Sequence, residues 1–242
     1  AKGSRLPFTF GALGDHATTS HSGDVSASVQ ADLMIHMGDI FYCNTQACVD
    51  SYFTDTIGDV ASQIAWMPAL GNHELSQPDD RITPLGRFSL PGRPAHQTCP
   101  IVGGRCDRTE TAEMWYSFDY DNVHFVAYDG NHFNSSSANG IGPGEPRYEW
   151  LKADLAAAAI DPSIDWVVVY GHFSPYANGK DIGHASNDRI RTALEPLITQ
   201  YADLHLGGHQ HSYQRTLPVA ANGTLVDTVS CGAAPYATCT SP

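Results

Sequence analysis

The 242-residue chain carries 26 acidic against 13 basic side chains, a formal charge of −13, with 42% hydrophobic residues. That balance excludes the basic surface on which nonspecific nucleic-acid binding depends, and no apolar run approaches the ~18 residues of a membrane-spanning helix. The acidic residues are scattered as on a solvated surface, and the length and hydrophobic content predict one globular domain over residues 1–242.

The N-terminus, Ala1-Lys2-Gly3-Ser4-Arg5, lacks the apolar core of a signal peptide, so any export signal is expected to lie outside this sequence. Phe8 to Leu13 reads as a first strand ending at Gly14-Asp15. Val25 and Val29, four apart, suit a short helix from Asp24 to Ala31 that leads into the buried strand Leu33-Met34-Ile35-His36-Met37. That strand stops at Gly38-Asp39-Ile40-Phe41-Tyr42, placing a carboxylate and a phenol at its C-terminal tip, where open α/β sheets put their chemistry. A helix from Cys48 to Gln63 and the short apolar run Trp66 to Leu70 follow, ending at Gly71-Asn72-His73-Glu74.

Leu75 to Thr111, rich in Pro, Gly and Arg, reads as a long irregular excursion, a length that usually serves function. Met114–Tyr120 and Val123–Asp129 flank Asp121-Asn122 as a hairpin, and 131–144 reads as loop. Glu145 to Ala159 is an amphipathic helix stopped by Asp161-Pro162. Trp166 to Tyr170 is a buried strand that ends at Gly171-His172. Ser186 to Gln200 is helical, with Ser186 or Asn187 as cap and Pro196 as a point where it can kink. Leu204-His205-Leu206 runs into Gly207-Gly208-His209-Gln210-His211, and Leu225 to Val229 suits a late strand.

Six cysteines fall into close pairs, Cys43/Cys48, Cys99/Cys106 and Cys231/Cys239, without the doubled C-x-x-C spacing of a zinc site. Proximity predicts three local disulfides, and hence a secreted or otherwise oxidising location. Asn134-Ser135-Ser136 and Asn222-Gly223-Thr224 match N-glycosylation acceptors. His36, His124 and His205 lie inside strand-like runs and are expected to be packing residues, whereas His16, His21, His96 and His132 fall in loops without a partner motif.

Each of five apolar runs is followed at once by groups able to bind a metal: Asp15; Asp39 with Tyr42; Asn72 with His73; His172; His209 with His211. Spacing alone does not divide them between ions. The order Gly-Asp, Gly-Asp-x-x-Tyr, Gly-Asn-His-Glu, Val-x-x-His and Gly-His-x-His resembles the purple acid phosphatases of the calcineurin-like metallophosphoesterase superfamily. Tyr148 to Leu155, similar to that family's W-L-x-x-D-L helix, and His211-Ser212-Tyr213-Gln214-Arg215, similar to its H-A-Y-E-R segment, extend the likeness. Gly-Asp-His at 14–16 departs from the usual Gly-Asp-x-Gly.

The resemblance implies an α/β fold, a four-layer αββα sandwich of two mixed sheets flanked by helices. It implies two cations bridged by Asp39, one completed by Asp15, Tyr42 and His211 and the other by Asn72, His172 and His209. A phenol with a reference pKa near 10 ionises at acidic pH only beside a strong Lewis acid, so Tyr42 points to Fe(III) in the first position. Imidazoles with an amide oxygen suit Zn, Mn or Fe(II) in the second. Charges of +3 and +2 against three anionic ligands leave roughly +2, the positive centre a phosphorylated small molecule needs in so acidic a chain. The implied reaction is hydrolysis of phosphate monoesters by a metal-bound hydroxide. His73 and, at a spacing unlike the family's, His184 are the candidates to serve the leaving group. A phosphodiesterase of the same superfamily and a metal-binding protein with vestigial activity are the competing readings.

Overall fold

Leu33-Met34-Ile35 can be apolar without a break because both faces of the strand Leu33–His36 are covered. The computed structural model describes residues 7–16, 29–43, 45–75, 88, 90–91, 101–102, 105–106, 115–131, 142–177, 184, 186–216 and 218–219. Strands β1 (Phe10–Leu13), β2 (Leu33–His36) and β3 (Ala65–Pro68) form a parallel sheet in that order, with Leu33 opposite Phe10 on one side and Ala65 on the other. Two short strands, β4 (Ile101–Val102) and β5 (Arg105–Cys106), pair with each other. The second sheet runs β6 (Tyr116–Tyr120), β7 (Val123–Ala127), β8 (Trp166–Gly171), β9 (Leu204–Gly207), antiparallel at its first pairing and parallel at the other two. The β6–β7 turn is the expected Asp121-Asn122, with Asp121 at φ 52°, a conformation that aspartate tolerates.

The two-residue period of the strands sorts the apolar side chains into three cores. Leu33 and Ile35 meet Val123, Phe125, Ala127, Val168 and Tyr170 between the sheets. Met34 faces outward with Trp66 onto Val49, Tyr52 and Ile57. Val126, Val167 and Val169 face the other way, onto Leu151, Leu155, Ile190, Leu194 and Leu197. Helix, sheet, sheet and helix thus stack as four layers, with a dry core at each of the three junctions.

The outer helix over β2 differs from the single helix expected across Cys48–Gln63. Helix α1 (Gln46–Tyr52), capped by Thr45 Oγ1 accepting from the Cys48 amide, passes into a π-helical segment, Phe53–Gly58, and then α2 (Asp59–Ala61). Thr54 and Thr56 donate their hydroxyls to the carbonyls of Asp50 and Tyr52, four residues back, in and just before this wider turn. After the short α3 (Asn72–Leu75), two long helices cover the second sheet: α4 (Pro146–Ile160), with proline at its start, and α5 (Asp188–Tyr201). Of the two candidate caps for α5, Asn187 is used, accepting from the Arg189 and Ile190 amides at 3.1 and 3.0 Å, and the helix continues through Pro196.

Cys43 and Cys48 are disulfide-bonded, with Cα atoms 6.0 Å apart. The other two cysteine pairings, both glycosylation motifs, residues 24–28 of the expected early helix, most of Leu75–Thr111, residues 132–141 and the strand Leu225–Val229 lie outside the described residues. No described helix is long and apolar enough to cross a membrane.

The three strand histidines pack as expected, His36 and His124 buried and His205 partly so. His205 bonds Tyr128 Oη at 3.0 Å, and burial pulls it down to about 4. His124 ties the hairpin to α4, with Asp119 at 2.6 Å on Nδ1 and Asp154 at 3.0 Å on Nε2, while Ser117 donates to the second Asp154 oxygen. Burial alone would lower the His124 pKa, but the two carboxylates outweigh it and hold it above the usual value. A raised histidine stabilises fully below its unfolded pKa of ~6.5 and loses that contribution as pH rises through the folded value. The unfolding free energy from urea titration should therefore fall as pH climbs above neutrality, by about 1 kcal/mol with Asp119 partly solvated, and His124→Phe should flatten that limb.

Candidate metal centre

Every group singled out after an apolar run lies at the C-terminal end of a parallel strand, so the two sheets deliver them to one rim. Asp15 follows β1, Asp39 and Tyr42 follow β2, Asn72 and His73 follow β3, His172 follows β8, and His209 and His211 follow β9. Three of these residues, Asp15, Asp39 and His209, hold positive φ of 54°, 53° and 68°. Such backbone costs of order 1–3 kcal/mol each and gathers where function over-determines the structure. The loops lock together: the Asp15 amide bonds Gly38 O at 3.0 Å and the His16 amide bonds Asp39 O at 2.9 Å. Gly71 packs so closely that any Cβ there would overlap the Asp39 carboxylate and amide.

All seven proposed ligands converge. Tyr42 Oη lies 3.2 Å from Asp15 Oδ1, 3.3 Å from Asp39 Oδ2 and 3.1 Å from His211 Nε2. On the other side, His172 Nε2 lies 2.9 Å from Asn72 Oδ1, 3.0 Å from His209 Nδ1 and 3.4 Å from the same Asp39 Oδ2. Asp39 Oδ2 is common to both groups. Its other oxygen accepts from the His73 amide at 2.9 Å, which turns Oδ2 toward the shared position. Asp39, His172 and His209 offer donor atoms all within 4.8 Å of one another.

Electrostatics favours positive charge at both places. Burial pushes the Asp15 pKa up, and Asp39 adds to it. Burial and the two carboxylates push the Tyr42 phenol well above its usual range. His172, fully buried, would be lowered by desolvation, but Asp39 and Asp15 raise it. Asp39 is raised by burial and lowered more by His172 and the His73 amide. Three of the four groups thus shift toward binding a proton, as expected of a site with surplus negative potential. His172 Nδ1 lies 2.9 Å from Met37 O, so with the proton on Nδ1, Nε2 is free to be a ligand. Four neutral or anionic donors around each of two adjacent centres is a set that fits cations, with the harder oxygens on the Tyr42 side.

The two histidines outside this set flank it. His73 packs its ring 4.3 Å from that of Tyr42, with Nε2 3.9 Å from Asp39 Oδ2 and 39% of its side chain exposed. His184 lies 4.6 Å from the His209 ring and 5.3 Å from the His211 ring. His16, a loop residue without an expected role, is buried against His36, Tyr52 and Trp66. Glu74, the last residue of the Gly-Asn-His-Glu motif and given no role of its own from the sequence, is 1% exposed and accepts from backbone amides of two ligand loops. Burial and the nearby Asp39 push it up to about 7. An acidic residue next to three others of a ligand motif, in a stretch where it must be buried, is the signal that marks it.

Residues 14–213 match the family model of the calcineurin-like phosphoesterases, and the chain belongs to that family. An uncharacterized protein of Mycobacterium tuberculosis is 30% identical to it over 224 residues, 86% of this chain and 39% of the relative. Purple acid phosphatase 22 of Arabidopsis thaliana is 26% identical over 217 residues, covering 88% of this chain and 46% of its own. A second Arabidopsis relative, described as probable inactive purple acid phosphatase 9, is 26% identical over 212 residues, 78% of this chain and 30% of its own. The chain spans less than half the length of these relatives.

Proposed function

We propose that this chain is a single catalytic domain that hydrolyses phosphate monoesters of small molecules at a dinuclear centre of Fe(III) and a divalent ion, Zn, Mn or Fe. The observation that carries the reading is the placement of Asp39 Oδ2 within 3.3 Å of Tyr42 Oη and 3.4 Å of His172 Nε2, one carboxylate oxygen serving two donor groups. Asp15, Asp39, Tyr42 and His211 hold the ferric ion, and Asp39, Asn72, His172 and His209 hold the divalent one. When bound, the cations supply charge for the phosphate oxygens and activate water as the nucleophile.

The protein's part is to orient and to move protons. Binding iron requires Tyr42 to give up its phenolic proton, so loading releases protons. His172 keeps its Nδ1 proton toward Met37 O and presents Nε2. In this reading His73 and His184, whose rings pack against Tyr42 and His209, serve the departing alcohol as proton donors.

The test is metal analysis of protein purified without added metal, together with turnover of an aryl monophosphate and a bis-aryl phosphodiester in parallel. Two metal ions per chain, one of them iron, with faster turnover of the monoester, is the expected result. Preference for the diester would move the enzyme to a phosphodiesterase, and two tightly held metals with no turnover of either would make it a relative of the kind described as inactive. Within the active enzyme, His184→Ala should slow poor leaving groups most, and unchanged turnover of them removes it from the mechanism.

A further inference from the structure

We propose that Glu74 is a positioning residue that sets the spacing between the two cation positions, by clamping the Asp39 loop to the Asn72 loop through their backbone amides. The inference rests on the metal-centre reading above and concerns a side chain that touches none of the donor atoms. Glu74 Oε2 accepts from the Asp39 amide at 2.9 Å and from the Gly71 amide at 2.7 Å, so one oxygen joins the residue shared by both cations to the residue before Asn72. Oε1 accepts from Ile40 at 2.8 Å and Phe41 at 3.2 Å, carrying the grip along the chain toward Tyr42. The side chain is 1% exposed, so water cannot replace these acceptors.

The clamp accounts for two features that regular packing leaves without cause. Asp39 turns at φ 53°, and the amide of that turning residue is the one bonded to Glu74 Oε2 at 2.9 Å. Gly71 lies against Asp39 too closely to carry a side chain, and the Glu74 oxygen between the two amides is what draws the loops to that distance. Asn72 and His73 precede Glu74 in one short helix, and the His73 amide returns to Asp39 Oδ1. A shift of Glu74 therefore moves the Asp39 carboxylate relative to Asn72 Oδ1 directly.

Glu74→Gln separates this role from mere space-filling. Its size is unchanged, but an amide has only one acceptor atom, so in either orientation two backbone N–H groups face an NH2 donor. The full chain, stripped with chelator, is titrated with Zn2+ alone by isothermal titration calorimetry, and the metal-free thermal midpoint is recorded alongside. The parent should take up two ions, Glu74→Gln should hold at least one of them about 10- to 100-fold more weakly, and Glu74→Asp, with both oxygens but a shorter reach, should fall between. Parental affinities in Glu74→Gln, even with a lowered metal-free midpoint, overturn the proposal. Should that variant fail to fold, parental affinities in Glu74→Asp overturn it instead. A parent that takes up fewer than two ions defeats the dinuclear reading itself, and this inference with it, before any variant is compared.

Discussion

Tyr42→Phe is expected to yield a folded protein that has lost the broad visible absorption of an iron–phenolate pair and at least ~100-fold of its turnover, the loss that even an outer partner of a ligand can cause. Tyr42 Oη sits within 3.3 Å of donor atoms from β1, β2 and β9, and removing it deletes one of four donors and one of three anionic charges around the proposed ferric position. The ring remains, so its packing on His73 and the neighbouring Cys43–Cys48 bridge are untouched, which is why folding should survive. Without a metal, burial and two carboxylates keep the phenol protonated; a cation bound beside it must displace that proton, and where the cation is Fe(III), colour and ionised phenol should appear together. The measurement is the visible spectrum of parent and variant at matched iron content. A colourless, fully active parent free of iron would defeat the ferric assignment.

The places where candidate groups would gather were legible in the sequence for a physical reason. A strand buried on both faces is a continuous apolar run, and a ligand at its tip must follow within a few residues, so Leu33–Met37 and Trp166–Tyr170 each announced Asp39 and His172 by position. The β6–β7 hairpin was legible because its turn needs a residue that accepts positive φ, and Asp121 is one. What stayed hidden depends on distance in the chain. Glu74 closes the Gly-Asn-His-Glu motif, but the amides it reaches at Asp39, Ile40 and Phe41 lie 33 to 35 residues away, and a local pattern does not record that contact. The π-helical Phe53–Gly58 widens the helix by a change in hydrogen-bond register that the apolar periodicity does not record. His16 is polar and sits beside a ligand, yet it packs on His36 and Trp66 because the loop closes over the end of β2, a contact between segments that sequence order keeps apart.

Asp39→Asn should nearly abolish the difference in melting temperature between metal-loaded and chelator-treated protein. Ligands that bind only the folded state stabilise by RT ln(1 + [L]/Kd), about 4 kcal/mol at a thousandfold excess over Kd. For a chain of this size each kcal/mol is worth roughly 2–4 °C, so the parent should gain on the order of 10 °C from a single saturated site and more from two. Asp39 is the one side chain common to both donor groups, so its loss weakens both ions, whereas loss of Asp15 or Asn72 weakens one directly. Asparagine keeps the oxygen that accepts from the His73 amide and tolerates φ 53°, so the metal-free variant should melt within a few degrees of the metal-free parent. Differential scanning calorimetry with and without chelator reads both quantities on one sample. An unchanged gap in Asp39→Asn would mean that the cations are held without the shared carboxylate, and two adjacent sites bridged by it would no longer describe the centre.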